Sequence, residues 1–134
     1  MGKADGGWDY TDQRAILISH VELFDREDAT VLGIIVANTI KGDDVLLYLH
    51  GDITEFALRP KQQYIVASFF DKKKKTRWAV TPITINGNTI LKLVNPQGFI
   101  NKLRTADFFS ITLPIAEEGT QTFYFSADGY PLDW

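Results

Sequence analysis

A chain of 134 residues and 15.1 kDa fits one domain and is long enough to close a hydrophobic core without cross-links. Hydrophobic residues at 45% and charged residues at 23% exclude a disordered or fibrous chain, and a net charge of -3 provides no general field for nucleic acid or an anionic membrane. Without cysteine there are no disulfides, thiolate zinc sites, iron–sulfur clusters or cysteine nucleophiles.

The chain opens with MGKADGGW, which lacks the apolar run of a signal peptide. ADGGW suits an N-terminus exposed by cleavage, with Met1-Gly2-Lys3 added before it, so residues 1–10 are expected to be a flexible or appended segment of an exported protein. Gly2 carries no myristoylation signal, because Gly6 stands where that motif needs Ser or Thr. Strand chemistry follows in RAILISHVELF, TVLGIIVANTI, DVLLYLH, QYIVASFF, RWAVTPITI, NTILKLV, FFSITLP and TFYFSA, all rich in β-branched and aromatic residues. GIIVA, apolar on both faces, is expected in a central and deeply buried strand. The longest apolar runs, such as 31–37, fall far short of the roughly 20 residues that span a bilayer, so no membrane span is expected.

Turn signals separate these strands. KGDD at 41–44 and EEGT at 117–120 combine glycine with acids, and Arg59-Pro60 breaks the chain between TEFAL and QQYIV. Asn86-Gly87 predicts a tight hairpin, since both central residues must adopt positive φ. Ile83 and Ile85 share one face, as do Phe109, Ile111 and Leu113, with Phe108, Ser110 and Thr112 opposite; one face of each strand is expected in the core. One helix interrupts the pattern. Asn95 suits an N-cap, Pro96 the first helical position, and Phe99, Ile100 and Leu103 form an apolar stripe that must dock on strands to be stable. The whole predicts an all-β single domain over 1–134, an antiparallel β-sandwich or flattened barrel with one short α-helix near residues 96–104.

FINKLRTADFFSITLP, followed by GTQTFYFSADGY, resembles the C-terminal half of the bacterial invasion-associated locus B family and of related type VI secretion-associated envelope proteins. Phe99, Ile100, Leu103, Phe109, Ile111, Leu113, Thr122, Phe123, Phe125, Ser126 and Gly129 stand at the matching places. Upstream, the stretch from Ile16 to Gly51 looks like the paired hairpins with which such proteins begin, and Trp8 sits where a mature N-terminal tryptophan is often seen. The resemblance implies a small exported β-sandwich, periplasmic or secreted, acting in the envelope through a protein partner and without catalytic machinery. It transfers no catalytic residue.

The residues themselves offer several candidate contacts. FFDKKKKTRW sets Lys72, Lys73, Lys74, Lys75 and Arg77 between aromatics, a pattern that suits single-stranded nucleic acid or an acidic partner. The acidic balance of the chain favours a solvated hairpin tip, so no nucleic-acid partner is expected. His50 and Asp52 lie two apart, near Asp43 and Asp44, and a metal site or the acid–base pair of a small hydrolase there competes with a plain Gly-Asp turn, which is preferred. His20 is the other histidine. No nucleophile elbow, calcium loop, P-loop or Rossmann glycine pattern is present, and no enzyme, metal or cofactor is expected. Tyr130 and Trp134 at the C-terminus, with Trp8 and Tyr10 at the other end, supply aromatic area for a protein or a sugar ring, or plug one end of the fold.

Overall fold

The computed structural model describes residues 8–10, 14–19, 30–39, 42–51, 55–69, 75–116 and 119–126; of residues 8–10, 14, 38 and 39 it describes the backbone. In chain order the elements are β1 (Trp8–Tyr10), β2 (Arg14–Ile18), β3 (Thr30–Thr39), β4 (Gly42–Gly51), β5 (Tyr64–Phe69), β6 (Thr76–Ile85), β7 (Asn88–Leu93), α1 (Pro96–Leu103), β8 (Phe108–Ile115) and β9 (Gly119–Ser126). The strands form one antiparallel sheet in the order β1-β2-β3-β4-β7-β6-β5-β8-β9, which curls into a nearly closed barrel accompanied by a single short helix. β1 is a strand that three residues of alternation are too few to announce.

Stagger produces the curl. The first half of β6 pairs with β5, from Thr76↔Ala67 to Ala79↔Tyr64, and its second half pairs with β7, from Val80↔Leu93 to Ile85↔Asn88. Two neighbours offset along one strand shear the sheet, and shear with tilt is what closes a barrel. The β6–β7 hairpin turns on Asn86 and Gly87 at φ 51° and 82°, as the Asn-Gly pair predicts.

Alternation delivers one face of each strand to a single core: Leu32, Ile34 and Val36 from β3, Val45, Leu47 and Leu49 from β4, and Phe109, Ile111 and Leu113 from β8. GIIVA does run between two strands, but only its inward residues Ile34 and Val36 and the covered Gly33 are buried; Ile35 and Ala37 are half-buried on the outside, because a single curled layer has an outer face. The ring of Tyr48 lies over Gly33, its cross-strand partner, where a β-carbon would fall 2.1 Å from Tyr48 Cζ. Glycine is needed there for that close approach. Ile83 and Ile85 reverse their expectation. Trp78 and Val80 set the inward phase of β6, so Ile83 and Ile85 point outward, and Ile85 is 47% exposed.

The helix is a brace. Asn95 Oδ1 accepts the Gly98 N–H at 3.1 Å, Pro96 opens the first turn, and Phe99, Ile100 and Leu103 are fully buried. Phe99 meets Trp78 edge-on at 5.2 Å and Phe69 at 5.4 Å, while Phe109 stacks on Phe69 at 5.2 Å and on Phe125 at 4.7 Å. Each buried aromatic or aliphatic side chain is worth about 1.5–3 kcal/mol, far more than a two-turn helix has by itself. The indole N–H of Trp78 donates to Thr76 Oγ1 at 2.8 Å, and that hydroxyl donates to the Ala67 carbonyl at 3.3 Å, so the aromatic cluster buries its polar handle with a partner.

Candidate ligand-binding face

The outer surface of β6, β5, β8 and β9 collects residues that a core has no use for. Register aligns Arg77, Val66, Thr112 and Thr122 in one row across the four strands and Ser68, Ser110 and Tyr124 in the next. Thr112 and Thr122 share a hydroxyl–hydroxyl hydrogen bond of 2.8 Å. Phe108 is 66% exposed and Tyr124 50% exposed. They occupy diagonal positions of the β8–β9 pair, a separation of about 7–8 Å that aromatic side chains bridge. Two exposed rings on a sheet face that also carries hydroxyls form an aromatic platform there.

A groove of 530 Å³ runs beside this platform. Its origin is an excursion of the chain. The Ala57 N–H donates to the Pro114 carbonyl at 3.0 Å and Val66 pairs with Thr112, so residues 58–65 loop away from β8 while β8 advances only two residues. Arg59-Pro60 starts the turn, closed by the Gln62 N–H donating to the Arg59 carbonyl at 2.9 Å. Arg59, Gln62 and Tyr64 wall the groove, and Val66, Thr112, Pro114 and Thr120 floor it. The Arg77 guanidinium sits 4.7 Å above the centre of the Tyr64 ring, a cation–π contact that holds both side chains at the rim. Neither Arg59 nor Arg77 has a carboxylate partner among the described residues.

Of the contacts expected from sequence, Lys75 and Arg77 are exposed at the start of β6, with Arg77 at the rim of this groove over Tyr64, whereas Lys72, Lys73 and Lys74 lie outside the described residues. Trp8 and Tyr10 belong to β1, opposite Leu17 and Ala15 of β2, with only their backbone described; Tyr130 and Trp134 lie outside the described residues, as do His20 and Asp52. His50 is exposed near the end of β4 and lines a second cleft of 450 Å³ with Leu46, Tyr48, Ile85 and Ile90, formed where β4 and β7 part after pairing at Leu46↔Lys92 and Leu47↔Leu91. Asp43 and Asp44 stand at the other end of β4, roughly 20 Å away at about 3.3 Å per residue, and no described residue lining that cleft is acidic. Asp44 instead pairs with Lys92 at 3.6 Å. Among the described residues, no three His, Asp or Glu side chains converge to hold a metal ion, and no helix is long and apolar enough to cross a membrane.

Sequence reasoning missed the groove because its wall and floor come from three separate stretches, 57–66, 112–114 and 119–120, none of which carries a catalytic or ligand-binding motif. The readable signal was the Arg59-Pro60 break, which marks where the chain leaves the sheet. The class so defined is an antiparallel barrel with an outward aromatic platform and an adjoining groove lined by one arginine. Comparison of the chain with family models, with curated proteins and with solved structures finds no match.

Proposed function

We propose that this protein is a non-enzymatic binding protein of the bacterial envelope, periplasmic or secreted, which works through protein or glycan contacts made by the outer face of β8 and β9 and the adjoining groove. The observation that carries the reading is the pair Phe108 and Tyr124, large aromatic side chains held in water on a rigid sheet. Full burial of such a ring is worth about 1.5–3 kcal/mol, and leaving half or more of it in water forgoes a corresponding part, which a stable scaffold tolerates where the rings serve contact. The envelope assignment rests on the resemblance of Phe99–Gly129 to exported envelope proteins.

The test is capture of partners from a native envelope fraction by the wild-type protein and by the Phe108→Ala/Tyr124→Ala double variant, with circular dichroism to show that both fold. Loss of the captured material in the variant supports the face as the contact surface. Equal capture by both removes it. Fractionation of cells expressing the full gene product checks export separately. A second reading uses exposed Lys75 and Arg77 for nucleic acid or an acidic partner, and its mark is affinity that falls steeply with salt and disappears when Lys72–Lys75 are changed to Glu.

A further inference from the structure

The groove has a more specific chemistry than the platform. Its floor is the face of a sheet, not an edge. β8 is paired with β9 from Phe108↔Ser126 to Ile115↔Gly119, and along its other side with β5 at 109–112 and with residues 55–57 at 114–116. The β8 main chain is therefore consumed by pairing, and an extended peptide cannot add to β8 as a further strand. Recognition in the groove falls to side chains.

Those side chains are of three kinds. Thr120 and Gln62 each donate and accept hydrogen bonds, as sugar hydroxyls do, and Thr112, whose hydroxyl shares a hydrogen bond with Thr122, keeps an acceptor lone pair for a ligand hydroxyl. Val66 and Pro114 present apolar surface to the C–H face of a pyranose ring. Arg59 supplies a guanidinium in a concave wall where no described lining residue is acidic, with Arg77 at the rim over Tyr64. In a chain of net charge -3, such a cation focuses a local positive potential against the sign of the whole, and its fork matches a carboxylate in two parallel bonds. The volume of 530 Å³ lies within the range of roughly 300–1,000 Å³ typical of small-ligand sites.

We propose that the groove binds an acidic saccharide, a uronate-containing oligosaccharide whose carboxylate is held by Arg59 and whose hydroxyls are met by Gln62, Thr112 and Thr120. The proposal rests on the reading of this outer face as the contact surface and names the ligand class of its groove. Single-stranded nucleic acid fits less well, because a phosphate backbone is followed by a track of cations, and the described groove offers one arginine in its wall and one at its rim.

The experiment titrates the full chain with oligogalacturonate, a hyaluronan fragment, the methyl ester of the same oligogalacturonate, polyglutamate and a single-stranded oligodeoxynucleotide, using calorimetry or NMR shifts. At least one acidic saccharide is expected to bind, its neutral methyl ester at least about tenfold more weakly, and Arg59→Gln to lose about the same factor while Arg59→Lys recovers part of it. Thr120→Val is expected to weaken binding by less than Arg59→Gln does. Tighter binding of the oligodeoxynucleotide or of polyglutamate, equal binding of acid and ester, or no binding of either acidic saccharide overturns the proposal. If the Phe108→Ala/Tyr124→Ala variant loses envelope capture while no saccharide binds, the contact face stands and the saccharide falls; if saccharide binds while capture is unchanged by that variant, the reverse holds.

Discussion

Phe108 and Phe109 are chain neighbours with the same side chain, one 66% exposed and the other 4% exposed. Phe109 is clasped by Phe69, Phe99 and Phe125 beneath the helix, whereas Phe108 stands in water beside Tyr124 on the opposite face of the same strand. Identical chemistry thus has two uses, set by which way a pleat points. The inner face of β8 holds the barrel together, and the outer face is spared that task.

That contrast breaks first on the inside. Phe99→Ala removes the ring that Phe69, Trp78 and Phe109 all pack against and is expected to lower the unfolding free energy by about 3–5 kcal/mol, read from urea melts. Asn95→Ala strips the helix of the oxygen that accepts the Gly98 N–H, for a loss of about 1 kcal/mol by the same melts. Gly33→Ala pushes the Tyr48 ring off the outer face and is expected to cost about 1 kcal/mol, since the ring can swing away. In a Tyr48→Ala background the same substitution should become neutral or slightly stabilising, because alanine in a strand carries less backbone entropy than glycine; a penalty that persists there would put its origin elsewhere. Lys92→Ala breaks an exposed pair with Asp44 and should change stability by less than about 1 kcal/mol, fading with added salt. Smallest of all is the outer face: Arg59→Gln and Phe108→Ala are expected to leave stability within about 0.5 kcal/mol while altering binding, which is what separates a contact surface from a structural one.

The same physics sets what was legible. Strand periodicity, the Asn86-Gly87 turn and the Asn95-Pro96 helix start are local signals, carried by residues two to four apart, and each appears in the structure where the sequence placed it. The inward phase of β6 was not local. Ile83 and Ile85 alternate as well as any core pair, and only Trp78 and Val80, drawn inward by the aromatic cluster and by β7, settle which side is wet. Likewise the Lys72–Lys75 run was loud in sequence, whereas the groove is walled by Arg59, Gln62 and Tyr64, which no spacing rule connects.

From its residues alone this chain determined an antiparallel all-β domain, the Asn86-Gly87 turn and a bracing helix, because backbone sterics and burial of an apolar stripe act over a few residues at a time. Gly42–Asp44 and Gly119-Thr120, expected in turns, belong instead to β4 and β9. Closure of the sheet, the outward turn of Ile83 and Ile85, and the meeting of Arg59 with Thr112 and Thr120 were decided only by tertiary structure. Each depends on strand register and shear, which bring together residues up to about sixty positions apart and leave no trace in any short stretch.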